Sequence, residues 1–119
     1  MAVTTTTAVN PLISTIVVDS DANTTVETVA TGNQNLYAVE ITNTGTAAVY
    51  LHLLNATNGA VSDQHTTQLY CPANTNCYYY FKSKYETTTG IQFYCTTTAG
   101  GGNNGVAPSA GSVSVKFGF

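Results

Sequence analysis

The side chains that could carry out acid–base or nucleophilic chemistry are few and scattered in this sequence. Nucleophilic catalysis needs a base held against the nucleophile, and the only histidines are His52 and His65. His65 falls in a polar stretch and His52 in a predicted strand, on its more polar face, so we interpret both as surface or edge residues. Five of the six carboxylates lie in or beside predicted turns or on outward strand positions, and the six form no pair suited to glycoside hydrolysis. The sequence therefore predicts a protein that is not an enzyme.

One acidic segment has part of the spacing of a calcium loop. Asp19, Asp21 and Asn23 supply oxygen ligands at the first, third and fifth positions. An EF-hand then needs glycine at the sixth position and glutamate at the twelfth, where this chain has Thr24 and Ala30. An EF-hand is excluded, and an Asx-rich turn is favoured over a looser cation site. We predict no metal and no cofactor.

Three cysteines, Cys71, Cys77 and Cys95, are the remaining candidates for chemistry. An odd number fits a reducing compartment better than a disulfide framework, and no four-ligand set has the spacing of a zinc site. We expect three reduced, small apolar side chains. A bridge between Cys71 and Cys77, which flank one predicted turn, stays open as an alternative.

The run Tyr78-Tyr79-Tyr80-Phe81 is the most informative local feature. Successive side chains of a strand point to opposite faces, so either Tyr78 and Tyr80 or Tyr79 and Phe81 must point away from the core. We favour a contact with a subunit or partner, since tyrosine is common at interfaces; a strand buried between two layers and a carbohydrate platform are the alternatives. The interface candidates, including two in the N-terminal segment, are Val3, Thr5, Tyr50, Tyr78, Tyr79, Tyr80, Phe81 and Tyr94.

Composition limits the classes of protein to which the chain can belong. Its 119 residues fit one domain with a radius of gyration of roughly 13–14 Å. Hydrophobic residues make up 43% but charged residues only 8%, and abundant β-branched threonine favours strands over helices. The net charge is −3 without any arginine, which argues against nucleic-acid binding because phosphates require clustered Lys and Arg. No signal peptide and no membrane span are evident, so we expect folding in a cytoplasm.

The candidate residues are expected to sit on an all-β framework. Eight strands are predicted, at about residues 12–18, 24–30, 36–42, 48–55, 66–71, 77–82, 91–97 and 112–119. The third and fourth alternate clearly and are joined by a short turn containing Gly45, which predicts a hairpin. The fold class is a single antiparallel β-sandwich of jelly-roll or Greek-key type over residues 12–119. Residues 1–11 are predicted to be a flexible arm, which either frays or adds a strand to a neighbouring sheet.

Two segments carry a resemblance to a known group of proteins. The stretch YAVEITNTGTAAVYLHLLNAT (37–57) and the ending GSVSVKFGF (111–119) resemble small, Thr- and Ala-rich virion proteins of tailed bacteriophages. In that pattern a hairpin is followed by a Pro-containing turn, an apolar strand, a Gly-Ile strand, a Gly-rich loop and a last strand, so the resemblance covers about residues 35–119. It implies a capsid decoration (cement) protein or another virion component, assembled in the host cytoplasm, with no catalytic residues to transfer. The tyrosine run and the cysteines have no counterpart in the pattern.

Three kinds of function are therefore weighed. The favoured one is a structural virion protein that binds the major capsid protein or another virion protein and self-associates, with a trimer preferred because decoration proteins often sit on threefold axes. Low charge and surplus aromatic area support self-association. The alternative is a receptor- or glycan-binding module of a phage tail or fibre. An enzyme has no positive feature in its favour.

Overall fold

The computed structural model describes residues 3–7, 13, 15–59, 67–99 and 105–119. His65 and the greater part of the predicted arm lie outside these residues. The described chain contains nine strands: β1 (Val3–Thr7), β2 (Thr15–Asp19), β3 (Glu27–Thr31), β4 (Gln34–Asn43), β5 (Val49–Leu54), β6 (Thr67–Cys71), β7 (Thr75–Thr87), β8 (Gly90–Thr96) and β9 (Val113–Gly118). No helix in the described part is long and apolar enough to cross a membrane.

The strands form two antiparallel sheets. Sheet A has the order β1-β2-β9-β4-β7, and sheet B has the order β3-β8-β5-β6. Every strand pairing is antiparallel. The predicted all-β class and antiparallel sandwich are confirmed, and the radius of gyration, 13.1 Å, falls in the expected range.

The core lies between the two sheets and follows from the period-two pattern of the strands. Val39 and Ile41 of β4 point inward from sheet A, and Leu51 and Leu53 of β5 point inward from sheet B; all four are almost fully buried. The two layers meet directly where the rings of Phe93 and Phe117 lie 4.7 Å apart. Burying each such side chain stabilises the fold by about 1.5–3 kcal/mol.

The predicted hairpin between the third and fourth predicted strands is wrong. Those segments are β4 and β5, which lie in different sheets, so their apolar faces meet across the core instead of lying side by side. Asn43 holds the crossing between them: its side-chain amide donates to the Ala47 carbonyl at 2.9 Å and to the Pro72 carbonyl at 3.0 Å. Its side-chain oxygen accepts from the Gly45 N–H. Alternation predicts which face of a strand is apolar, but it does not identify the neighbouring strand.

Strand β7 is longer than the predicted strand at residues 77–82, because it begins at Thr75 and continues to Thr87. The extension pairs with the start of β4, where Leu36 lies opposite Tyr85. The register shifts between Leu36 and Ala38, and Lys84 adopts a left-handed φ of 68° within the bulge. A bulge of this kind lets one strand carry extra residues without losing its partner.

Strand β1 lies within residues 1–11, for which an arm is predicted. It pairs with β2 over five consecutive residues, from Val3 opposite Asp19 to Thr7 opposite Thr15, without a shift in register. Threonine is favoured in strands because its branched side chain suits a pleated surface. Residues 3–7 thus form an edge strand of sheet A.

Candidate interaction surface

The outer face of sheet A presents the exposed part of the tyrosine run. Along one row, Ile16, Gly118, Ala38 and Tyr80 lie side by side on β2, β9, β4 and β7. Gly118 and Ala38 have little or no side chain, so the surface is depressed in the middle of the row, and the larger side chains of Ile16 and Tyr80 project from the sheet at its two ends. Tyr80 is 75% exposed, the largest exposed fraction among the large hydrophobic residues described.

A second row runs beside the first on the same four strands. It consists of Val18, Lys116, Glu40 and Tyr78, and Tyr78 is 55% exposed. The Lys116 ammonium lies 3.8 Å from a Glu40 carboxylate oxygen. Because this pair faces solvent, it contributes at most about 1 kcal/mol to stability, and it leaves one charge of each sign beside the tyrosines.

Between the rows lies an open groove of about 230 Å³, bordered by both exposed tyrosines. Ile13 closes one end, where a side chain on Gly118 would come within 3.0 Å of the Ile13 side chain. The wall is mostly apolar, and Lys116 and Glu40 are the charged residues that line it. We call this surface the tyrosine groove.

The inward pair of the run, Tyr79 and Phe81, packs against the core, so the alternation places Tyr78 and Tyr80 outward. The Tyr79 hydroxyl reaches from sheet A to the edge strand β6 of sheet B. It accepts a hydrogen bond from the Tyr70 N–H at 3.1 Å and donates one to the Tyr70 carbonyl. Burial raises the pKa of Tyr79 above its ordinary value, with the nearby Cys77 as a smaller cause, so the phenol stays protonated and able to donate.

His52 is not the surface or edge residue that the sequence predicts. It is fully buried on the outer face of sheet B, stacked on Tyr94 with ring centroids 4.4 Å apart. Its Nε2 lies 2.8 Å from the Thr96 hydroxyl, which donates its own proton to the Thr98 carbonyl. The hydroxyl must therefore accept from His52, so Nε2 carries a hydrogen. His52 has a structural role in the fold.

Two loops cover that outer face, because glycine lets their backbones approach it closely. A side chain on Gly59 would lie 2.7 Å from Leu54, and one on Gly105 would lie 2.3 Å from Thr96. The Gly59 N–H also donates to the side-chain oxygen of Gln92 at 2.7 Å. Of the interface candidates on this face, Tyr94 is buried and Tyr50 is half-buried against Tyr70.

All three thiols are free. Burial raises the pKa of Cys71 to about 12, with the neighbouring Cys77 as a further cause, and burial also raises that of Cys95 to about 12. Thiols that stay protonated at neutral pH are poor nucleophiles and poor metal ligands. The predicted turn between Cys71 and Cys77 carries the chain from sheet B to sheet A, so the two residues do not flank a hairpin.

The acidic segment forms a turn that fastens two loops. One Asp19 carboxylate oxygen accepts from the Asp21 N–H, and Asp21 accepts from the Gly111 N–H at 2.7 Å. Asp19 is fully buried, its second oxygen has no hydrogen-bond partner among the described residues, and burial raises the pKa of Asp19. Within the described residues, no three His, Cys, Asp or Glu side chains come together as a metal site would require.

The structure brings together only part of the set that the sequence singled out. Tyr78 and Tyr80 share the tyrosine groove, whereas Val3 and Thr5 are exposed on β1 at the far edge of sheet A. The sequence reasoning missed the residues that complete the groove, among them Ile13, Ile16, Ala38, Glu40 and Lys116. Most of these residues occupy outward positions on β2, β4 and β9, but the sequence shows that they are neighbours only when the order of the strands is known.

Comparison with known proteins adds no relative to this description. No protein-family model, no curated protein and no solved structure matches the chain.

Proposed function

We propose that this chain is a non-enzymatic structural protein of a virion, of the capsid-decoration type, and that its tyrosine groove binds the major capsid protein or another virion protein. The observation that carries the proposal is the exposure of Tyr78 and Tyr80 on either side of an apolar groove on a sheet face. Exposed apolar patches bordered by polar residues mark sites of protein interaction, and tyrosines set in pockets supply much of the binding energy of interfaces. In this role the protein is assembled onto the particle in the host cytoplasm.

The order of the strands supports a finer description of the fold. Without β1, the sheets have the orders β2-β9-β4-β7 and β3-β8-β5-β6, so eight strands occupy two four-stranded sheets and the chain repeatedly crosses between them. We infer a jelly roll, which has eight strands arranged as two Greek keys and recurs in viral capsid proteins and in lectins. A fold alone does not define a function, so the argument depends on the groove.

The direct test is binding to heads of the source particle from which this protein has been removed. Tyr80→Ser and Tyr78→Ser should each weaken co-sedimentation with the heads by about 5- to 30-fold, which corresponds to the roughly 1–2 kcal/mol of a tyrosine at an interface. The matched control is Tyr70→Ser, since Tyr70 is also exposed, at 44%, but lies on sheet B. Equal binding by all three variants and the unmodified protein would end the proposal for this surface.

One observation favours the alternative, a receptor- or glycan-binding module of a tail or fibre. The groove sets exposed tyrosine faces beside the Lys116–Glu40 pair, and a sugar ring needs an apolar face together with charged or polar hydrogen-bonding groups around its hydroxyls. Screening on a glycan array, followed by titration of any hit against Tyr80→Ser, distinguishes the two functions. If the protein binds the heads but no glycan on the array, the structural role is supported. If it binds a glycan and Tyr80→Ser abolishes that binding, the alternative is supported.

A further inference from the structure

At its free edge, strand β1 presents backbone N–H and C=O groups that no described strand pairs with. Thr15 and Phe119 exchange two backbone hydrogen bonds, at 2.8 and 3.0 Å, so the backbone groups of Thr15 face β9. Because N–H and C=O directions alternate along an antiparallel strand, Ile16 and Val18 must turn theirs toward β1, where they meet Thr6 and Thr4. Val3, Thr5 and Thr7 then point their N–H and C=O groups away from β2. No described strand pairs with this edge.

The other edge of sheet A is β7, which carries two features that oppose strand addition. Lys82 and Lys84 are both exposed, and the strand is broken by the bulge in which Lys84 has its left-handed φ. Lysines and bulges on an edge strand hinder the pairing of a further strand.

The edges of sheet B are obstructed as well. On β6, the Tyr79 hydroxyl already holds both the N–H and the C=O of Tyr70. On β3, the register shifts between Thr28 and Ala30, and Glu27 adds a charge. Strand β1 differs from all three: its sequence is VTTTT, it has no charge and no proline, and its register is continuous. Among the described strands, β1 is therefore the one edge open to a partner.

We propose that β1 pairs antiparallel with β1 of a second copy of this chain, which joins the two five-stranded sheets into one continuous sheet. With the two-fold axis at Thr5, the pairs are Val3 with Thr7, Thr5 with Thr5, and Thr7 with Val3, and about six backbone hydrogen bonds form. Cross-strand threonine pairs are favourable, and because the strand is uncharged, no like charges meet at the axis.

The edges also decide the symmetry of this contact. A ring of three subunits joined through sheet edges is heterologous, so it needs two different open edges on each subunit, whereas an isologous pair needs only one. Since β3, β6 and β7 are obstructed, edge pairing gives a dimer, and a trimer would have to use another surface. This inference does not rest on the proposed virion role or on the tyrosine groove.

The test is the mass in solution of the full chain and of edge variants. Light scattering should be done at a chain concentration of about 100 µM, because small interfaces have dissociation constants in the micromolar range. The mass should be roughly twice the 12.5 kDa of one chain. Thr5→Pro removes an N–H that faces the free edge and leaves the bonds of Thr4 and Thr6 to β2 in place, so it should give a monomer. Thr5→Lys should also give a monomer, because it sets two like charges against each other at the axis.

Thr25→Lys is the matched control, since it adds the same charge at an exposed threonine outside the strands and should leave the mass doubled. Amide hydrogen exchange gives a second readout: in the dimer Thr5 should be protected together with Thr4 and Thr6, and in the monomeric variant Thr5→Lys it should exchange at least ten-fold faster than they do. An unmodified chain that stays monomeric at this concentration overturns the proposal. A dimer that persists in both Thr5 variants, or that leaves the Thr5 amide unprotected, overturns it as well.

Discussion

The hydroxyl of Tyr79 connects the two sheets, and its removal should weaken the domain measurably. Tyr79→Phe keeps the ring against the core but deletes the bond accepted from the Tyr70 N–H and the bond donated to the Tyr70 carbonyl. A protein hydrogen bond contributes about 0.5–1.5 kcal/mol net. Since Tyr70 is partly exposed, water can replace part of what is lost, so we expect a total loss of about 1–2 kcal/mol of unfolding free energy.

Urea denaturation measures this loss directly. With a slope of about 2 kcal/mol per molar urea, within the usual range for small proteins, the midpoint should fall by about 0.5–1 M. The matched control is Tyr80→Phe, which deletes a hydroxyl from the neighbouring residue on the exposed face and should stay within about 0.5 kcal/mol of the unmodified protein. Equal midpoints for the two variants would refute the inference that the Tyr79 hydroxyl holds the β6 edge.

The dependence on pH adds a separate check on the burial of the same hydroxyl. Burial raises the pKa of Tyr79 above its ordinary value of 10.0. A group whose pKa is raised in the folded state adds stability that is complete below the unfolded value and is lost as the pH rises through the folded value. The gap in stability between the unmodified protein and Tyr79→Phe should therefore be constant up to pH 9 and should narrow above pH 10. A gap that stays constant into the alkaline range would contradict this assignment.

Three further outcomes are expected from the core. Asp19→Asn should raise stability at pH 7 by about 1 kcal/mol, because burial raises the pKa of Asp19 from 3.8, one of its two carboxylate oxygens has no hydrogen-bond partner among the described residues, and an ionised group with unmet hydrogen bonds is costly inside a protein. The unmodified protein should lose stability as the pH rises from 3.8 through that raised pKa, and urea midpoints between pH 3 and 8 should show a flatter profile for the variant. Replacing all three cysteines by alanine should leave a folded protein that is insensitive to reductant, at a cost of about 1–2 kcal/mol for each of the buried Cys71 and Cys95. A circular dichroism spectrum without strand signal would contradict this expectation. Leu51→Ala should cost about 2–5 kcal/mol because Leu51 is fully buried, and a midpoint equal to that of the unmodified protein would place Leu51 outside the core.

The sequence predicts the faces of the strands better than their partners. Val39, Ile41, Leu51 and Leu53 alternate with more polar residues, and all four are buried as their spacing indicates. The same pattern suggested a hairpin because a short turn links the two runs, yet the turn crosses between sheets. The alternation of apolar and polar residues along a strand predicts which side chains are buried. Which strands lie side by side depends on contacts between residues far apart in the chain.

The outer face of sheet B was misjudged for a different reason. The sequence predicts a polar or exposed side for His52 and Tyr94, because a sandwich strand ordinarily has one face in contact with solvent. Here loops lie against that face, and the glycines that allow their close approach, Gly59 and Gly105, look like ordinary turn residues in the sequence. The tyrosine run was more informative, since four consecutive aromatic residues cannot all point inward, and Tyr78 and Tyr80 are indeed exposed.

The position of β9 in the middle of sheet A affects how the chain can fold as it is synthesised. Strand β9 lies between β2 and β4, so sheet A stays in two pieces until residues 113–118 have left the ribosome. Strand β2 pairs with β1 on one side but must wait for its other partner about 100 positions later in the chain, and closing so long a loop is entropically costly. Topologies dominated by such distant pairings fold in milliseconds to seconds instead of microseconds. Until β9 arrives, the facing edges of β2 and β4 remain open to other strands, so the chain is exposed to mispairing until β9 has taken its place between them.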